Sequence, residues 1–193
     1  GARAVGETGG FRTYVLGAGM TRASAFLFDS TAQAVAFAAW IETQLEDMRA
    51  WLESEPIPNL SKHAKLRELE THVVGPMCHV MYAFTTGDAC GMNMITRNSF
   101  ALNQGFVVDR APVRPRRAML EGNMGGDKKP SARYFERGGH GKTVIAEATL
   151  TDEAVRRVLK TTIDDLVELA FVGTHGAVAS GMQSVAFTPA TAI

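Results

Sequence analysis

The sequence predicts an α+β fold that follows the ferredoxin-like order β-α-β-β-α-β through about residue 121. Three observations predict it: a short apolar run that ends in helix-capping residues, a long stripe at helical spacing, and two extended runs hinged at Gly75-Pro76 ahead of a second helix.

Residues 23–29, Ala-Ser-Ala-Phe-Leu-Phe-Asp, read as a buried strand, and the Asp-Ser-Thr that closes them reads as a helix cap. From Ala32 to about Leu52, the residues Val35, Ala38, Ile41, Leu45, Met48 and Leu52 recur every three or four positions. Glu42, Glu46, Asp47 and Arg49 fall elsewhere, so the segment predicts one long amphipathic helix. Glu55 to Leu60, with two prolines and an asparagine, is a connection. His72 to Thr85 reads as two adjacent strands around the Gly75-Pro76 turn. A glycine loop, Gly87 to Gly91, leads into a helix from about Met92 to Asn103, and Arg117 to Leu120 is a strand after the breaks at Pro112 and Pro115.

Beyond Leu120 the character changes to a glycine- and lysine-rich loop that runs to about Gly141, followed by a strand at Thr143 to Leu150. A helix follows, with Asp152 and Glu153 in its first turn, where carboxylates complement the helix dipole. Val155, Val158, Leu159, Thr162, Ile163, Leu166 and Leu169 form its apolar stripe, and the small apolar residues from Gly173 to Ile193 predict a helix packed closely in a core.

The 193 residues are 46% hydrophobic and 21% charged, enough apolar side chain for a sizeable core. Twenty basic and twenty acidic residues cancel, which removes the positive field that nucleic-acid binding relies on. No apolar run reaches membrane-spanning length, and GARAVGETGGFR does not resemble a signal peptide. Two cysteines, Cys78 and Cys90, form neither a disulfide framework nor a zinc site, and the five histidines lack metal-ligand spacing, so no metal is expected. The default is a reducing, cytoplasmic setting. With Gly1 in place of an initiator Met and an end at Thr191-Ala192-Ile193 inside an apolar pattern, the chain reads as a piece of something longer.

Two apparent motifs fail. Gly17-Ala-Gly19-Met-Thr-Arg22 has arginine where a dinucleotide fingerprint needs its third glycine, and a strand follows where a helix is required. Gly141-Lys142-Thr143 lacks the upstream glycine of a P-loop, because Glu136 stands there. Two other segments carry chemistry. Thr86-Gly87-Asp88-Ala89-Cys90-Gly91-Met92-Asn93-Met94 places glycines and a carboxylate before a helix N-terminus. It is either a capped loop or a phosphate-binding end with Asp88 accepting from a ribose or amide. Glu121-Gly122-Asn123-Met124-Gly125-Gly126-Asp127-Lys128-Lys129-Pro130 is either a solvated charged loop or one that delivers two ammonium groups. Pro130 favours an extended Lys129, so that neighbouring lysines point opposite ways.

Taken together, these segments resemble the catalytic part of 3-hydroxy-3-methylglutaryl-coenzyme A reductase (HMG-CoA reductase), most closely its class I form. The matching stretches are Gly19-Met20-Thr21-Arg22, Gly87 to Ile95, Gly122-Asn123 with Asp127-Lys128-Lys129-Pro130, Gly141-Lys142 with Ala146-Glu147-Ala148, Val158 to Thr162, and Thr191-Ala192-Ile193, all in family order. The resemblance implies a ferredoxin-like NADP-binding domain, residues 23–118, inserted into a larger α+β substrate-binding domain of which 1–22 and 119–193 are pieces. It implies NADPH contacts from Asp88, Cys90, Gly91, Met92 and Asn93. Ser61-Lys62 fall where the family grips the 2′-phosphate with Ser-Arg, a bidentate fork that lysine lacks. Arg22, Asn123, Asp127 and Lys129 fall at substrate positions and Lys128 on the catalytic lysine.

The implied reaction is the four-electron reduction of HMG-CoA to mevalonate and coenzyme A with two NADPH, in a homodimer or higher homo-oligomer. The family's catalytic glutamate is expected before Gly1, and its aspartate and histidine after Ile193. There are departures from the family pattern: Glu121 replaces a substrate-touching serine, Gly125-Gly126 replace bulkier residues, and Val185 and Thr188 replace a His and an Asn. They keep two alternatives open, a catalytically silent nucleotide-binding or scaffold homologue and a reductase of a related acyl-CoA thioester.

Overall fold

The structure is a computed structural model that describes residues 1–54, 60–128, 131, 133 and 140–179. It divides into two compact units, residues 18–125 and residues 1–17 with 126–193.

The 18–125 unit is built on the part of β1 (Arg12–Leu27) that falls within it, with β2 (Lys65–Val74), β3 (Met77–Thr85) and β4 (Arg117–Met119). The sheet order is β2-β3-β1-β4, and each of these neighbouring pairs is antiparallel. Alternation on β3 buries Cys78, Val80, Tyr82 and Phe84 completely, and the register sets Phe26, Ser24, Arg22 and Met20 of β1 beside them. Arg22 therefore shares a face with the aromatic core.

Helices cover that face. α2 (Thr31–Ile41) starts at Ser30, whose hydroxyl accepts from the Gln33 amide at 3.3 Å, while Gln33 Oε1 accepts from the Asp29 amide at 3.0 Å. Its buried residues are Ala34, Phe37, Ala38 and Ile41, whereas Val35 of the predicted stripe is 53% exposed. Aromatic volume sets the rotation: Phe37 fits between Phe26 and Phe28, with ring centroids 4.9 and 5.0 Å away. The single long helix predicted to Leu52 is also divided. Thr43 Oγ1 donates to the Trp40 carbonyl at 2.7 Å, the chain tightens over Glu42–Gln44, and α3 (Leu45–Ser54) follows.

α4 (Met92–Ala101) widens into a π-helical stretch at Leu102–Val107 and closes at Val108–Arg110. Within the widened part, buried Asn103 donates to Ser24 Oγ at 2.9 Å and accepts from Tyr82 Oη at 3.0 Å. Ser24 in turn donates to the Leu120 carbonyl at 3.2 Å, which ties the strand-to-loop exit at residue 120 to the core.

Three strands start earlier than the sequence predicts. β1 begins at Arg12 rather than 23, because its first residues are exposed on both faces and show no alternation. β2 begins at Lys65 rather than His72, because a register shift between Leu66 and Glu68 interrupts the period of two. The last strand, β5 (Gly141–Glu147), begins and ends before the predicted 143–150.

His79 faces His72 across β2 and β3, and its Nδ1 is buried with no partner among the described residues. Burial first, then the His72 charge, holds its imidazole below the usual value of 6.5. The folded state therefore favours neutral His79, and the resulting stability is complete above pH 6.5 and is lost as pH falls through the lowered value. Denaturant midpoints should drop between pH 7.5 and 5.5, and His79→Gln should remove part of that drop.

In the other unit, β5 pairs with β1, and Tyr14 Oη donates to Glu147 Oε1 at 3.3 Å. α1 (Ala2–Glu7) is tied through Glu7 to Arg157 at 2.5 Å, on the stretch Val155–Leu159 that continues the short helix Asp152–Ala154. The continuous helix predicted from Asp152 is broken at Lys160, which adopts φ 59°, and α5 (Ile163–Ala179) restarts behind a reciprocal cap. In that cap Thr162 Oγ1 accepts from the Asp165 amide at 3.1 Å and Asp165 Oδ2 accepts from the Thr162 amide at 3.2 Å. Hydrogen bonds from Thr162 and Thr161 hold the Asp165 carboxyl below its ordinary range. Contrary to the predicted stripe, Ile163 and Leu169 are exposed, as are Thr174, His175 and Gly176 in the segment predicted to pack in a core; residues 180–193 lie outside the described residues. No helix among the described residues is long and apolar enough to cross a membrane.

Candidate functional site

The loop before α4 is shaped by two left-handed glycines, Gly87 at φ 60° and Gly91 at φ 76°. Thr86, buried at 7% exposure, donates its hydroxyl to the Ala89 carbonyl at 2.7 Å, and the Ala89 amide returns to the Thr86 carbonyl at 3.3 Å. The result is a tight bend that presents Asp88, Ala89 and Cys90 to solvent and leaves Gly91 as the helix N-cap. Gly91 caps with no side chain, so the first amides of α4, at Met92 and Asn93, stand at a helix end suited to an anionic group. The two cysteines differ: Cys90 is exposed, while burial, then the Glu42 charge, pushes the Cys78 thiol up to about 12.

α4 also holds two other predicted positions. Asn98, 1% exposed, accepts from the Ser61 amide at 3.0 Å and donates to the carbonyls of Ser61 at 3.0 Å and Ala64 at 3.3 Å. Six residues of α-helix separate Met92 from Asn98, about 9 Å along the axis, so one rigid element carries both the glycine-loop end and the Ser61 contact. Ser61 and Lys62 line a cleft of about 320 Å³ with Arg49, Glu53 and Lys65. There Lys62 Nζ donates to the carbonyls of Leu52 at 3.3 Å and Glu53 at 2.9 Å, and the Lys65 ammonium beside Glu53 holds that carboxyl below its ordinary range.

Arg22 Nη2 donates to Thr96 Oγ1 at 2.8 Å, and Thr96 Oγ1 in turn donates to the Met92 carbonyl at 2.7 Å. Arg22 Nη1 lies 2.5 Å from Glu121 Oε2, while Glu121 Oε1 accepts from the Asn123 amide at 3.0 Å. Asn123 sits at φ 57°, a conformation asparagine tolerates better than most residues.

The lysine loop belongs to the other unit. Gly126–Lys128 is a single 3₁₀ turn, with Lys128 exposed and Asp127 buried, while the extended conformation the sequence predicts for Lys129 falls outside the described residues. His140 binds Asp127 twice, with its amide 3.1 Å from the carbonyl and its Nδ1 3.7 Å from Oδ2, and Ser131 Oγ donates to the Gly126 carbonyl at 2.6 Å. Lys129, Val185 and Thr188 lie outside the described residues. Thr96, Asn98 and His140 were missed in the sequence; each acts by a contact distant along the chain and carries no local motif.

The strands and helices make a mixed α/β protein. The chain belongs to the hydroxymethylglutaryl-coenzyme A reductase family, a family of oxidoreductases, whose model matches residues 1–193. Among similar proteins is the 3-hydroxy-3-methylglutaryl-coenzyme A reductase of Aeropyrum pernix, 35% identical over 162 residues, covering 84% of this chain and 37% of the relative. The Aspergillus terreus reductase is 36% identical over 171 residues, covering 88% of this chain and 16% of the relative. The chain thus spans well under half the length of these relatives. In fold it is similar to the 3-hydroxy-3-methylglutaryl-coenzyme A reductase of Streptococcus pneumoniae, with a TM-score of 0.58 and 15% identity over 90% of this chain and 43% of the other. It is also similar to a class II reductase structure from that organism bound to NADPH, with a TM-score of 0.55 and 17% identity over 88% of this chain and 41% of the other.

Proposed function

We propose that this chain is the nucleotide-binding part and an adjoining substrate-binding part of an NADPH-dependent HMG-CoA reductase, which reduces HMG-CoA to mevalonate and coenzyme A. The observation that carries the reading is the glycine-bent loop Thr86–Asn93 at the N-terminus of α4, in a chain whose whole length matches the family. On this reading residues 23–118 are a ferredoxin-like domain inserted between substrate-domain pieces at 1–22 and 119–193. The element order β-α-β-β-α-β and the sheet order β2-β3-β1-β4 support that assignment.

Asp88, Cys90, Gly91, Met92 and Asn93 would contact NADPH, the helix-end amides suiting its phosphates, and Ser61 with Lys62 would receive the 2′-phosphate. Gly91 fits such a group because, as an N-cap without a side chain, it leaves the helix-end amides uncovered on its side, while Thr86 packs where its Cβ would be. Bound NADPH supplies hydride to the thioester carbonyl. Lys128 places an ammonium against the carbonyl oxygen as negative charge builds on it, and Asp127, held by His140, fixes the turn from which Lys128 projects. Arg22, Asn123 and Lys129 orient the acyl chain. The parent protein is a cytoplasmic-facing homo-oligomer.

The test is NADPH oxidation by the full-length protein supplied with HMG-CoA, together with the thiol released. Two NADPH consumed per coenzyme A establishes the reaction; NADPH binding without thiol release makes the chain a silent homologue instead. Asn98→Ala should weaken NADPH more than NADH, because the backbone of Ser61 loses its anchor on α4 while the glycine loop keeps its own. A several-fold rise in the NADPH dissociation constant with little change for NADH is the expected titration result, and equal changes for the two would remove Ser61 and Lys62 from the 2′-phosphate site.

A further inference from the structure

The cleft beside Ser61 is charged, with Arg49, Lys62 and Lys65 set against Glu46 and Glu53. Its three cations are held differently. Arg49 is bound to the chain itself: Nη1 lies 2.5 Å from Glu46 Oε1, Nε donates to the Leu66 carbonyl at 3.0 Å, and Nη2 donates to the Arg67 carbonyl. Lys62 closes the end of α3 through the Leu52 and Glu53 carbonyls, acceptors of the kind that a helix leaves without partners in its last turn. That uses two of the three donors of its ammonium. Lys65 meets a side chain instead of backbone. Its Nζ is 2.9 Å from Glu53 Oε1, and the two side chains are 55% and 63% exposed. An exposed pair of this kind trades partners readily, because solvent screens it. Lys65 is also the first residue of β2 and lies in register with Thr85, one residue before the Thr86 bend, so the same strand ends carry the cleft and the glycine loop.

We infer that Lys65 is a specificity-determining residue of the nucleotide site: its ammonium moves from Glu53 to a phosphomonoester on the ribose, while Lys62 keeps its place on α3 and lends its third donor. The inference deepens the proposed 2′-phosphate reading and rests on it. A phosphomonoester brings about two negative charges and three acceptor oxygens. It therefore offers the two lysines more charge-assisted hydrogen bonds than the Glu53 carboxylate does. Glu53, already open to water, turns away with its charge solvated. The ribose hydroxyl of NADH carries no charge and leaves the Lys65–Glu53 pair as it is. Preference for NADPH thus depends on a residue three positions past Lys62, on a separate element of the fold.

The experiment titrates the full-length wild type, Lys65→Gln, Lys65→Arg and Glu53→Gln with NADPH and NADH, and with 2′,5′-ADP and 5′-ADP, which pose the phosphate question without the nicotinamide half. Lys65→Gln should raise the dissociation constants of NADPH and 2′,5′-ADP by at least about tenfold, while those of NADH and 5′-ADP move less than about twofold. Lys65→Arg keeps the charge and should restore most of the preference. Glu53→Gln removes the competing charge but leaves the backbone carbonyl that Lys62 uses, so it should tighten NADPH and 2′,5′-ADP by about threefold or more and leave NADH unchanged. If Lys65→Gln does not fold, Glu53→Gln decides: that gain upholds the inference, and no gain overturns it. Where the wild type prefers 2′,5′-ADP, a Lys65→Gln protein that keeps the preference, or loses all four nucleotides equally, overturns the inference and leaves the reading at Ser61 and Lys62 standing. A wild type that binds 2′,5′-ADP no tighter than 5′-ADP overturns both.

Discussion

Lys128→Ala in the full-length protein should lower kcat for HMG-CoA reduction by roughly a hundred- to a thousandfold, the loss of about 3 to 4 kcal/mol of oxyanion stabilisation by one fixed donor. Hydride addition to a thioester carbonyl moves a full charge onto oxygen, so an ammonium that meets the oxygen acts more strongly on the transition state than on the ground state. The deficit should therefore fall on kcat, with KM for HMG-CoA changing much less. Lys128 is exposed on a turn whose fixed points are Asp127, Ser131 and His140, so its removal leaves the turn's internal hydrogen bonds in place. Lys128→Arg keeps the charge but with a different reach and donor geometry, and should recover only part of the rate. A Lys128→Ala enzyme as fast as the wild type removes this residue from the chemistry.

Gly91→Ala should raise the NADPH dissociation constant by at least about tenfold and lower the thermal midpoint as well. An alanine at φ 76° carries a backbone cost of about 1–2 kcal/mol. Its Cβ would also lie 2.8 Å from Thr86 Oγ1 and closer still to the methyl group of that side chain. Thr86 cannot simply turn aside, because its hydroxyl holds the bend by donating to the Ala89 carbonyl. Either the bend opens or the first turn of α4 shifts, and both move the Met92 and Asn93 amides. Thr86→Gly removes the overlap together with the hydroxyl that holds the bend, so the double variant Thr86→Gly/Gly91→Ala, compared with Thr86→Gly alone, reads the left-handed strain by itself. NADPH affinity unaffected by Gly91→Ala would show that the cofactor does not rest on this loop.

Much of the architecture was readable in the sequence, and the places where it was not share a cause. Strands with one buried face, such as β3, advertise themselves by alternation, and Gly75-Pro76 marks the hairpin between β2 and β3. The early parts of β1 and β2 were invisible because exposure on both faces or a bulge erases that alternation. Val35 misled because a stripe counts apolar residues without weighing volume, and the placement of Phe37 decided the helix face. At the candidate site, Asp88, Gly91 and Lys128 stand in compact local motifs. Asn98, Thr96 and His140 matter through partners 37, 74 and 13 positions away, distances at which no local pattern operates. Glu121 was visible as a departure from the family, but its ion pair with Arg22 depends on the fold.

Because Met92, Thr96 and Asn98 ride on one rod, the positions of the glycine-loop end, of Arg22 and of Ser61 are not independent adjustments. A small screw motion of that rod would shift all three together, so on the proposed reading substitutions beneath it, at Ile95 or Leu102, should produce correlated losses of nucleotide and acyl-chain affinity, whereas a change at solvent-facing Arg97 should produce none.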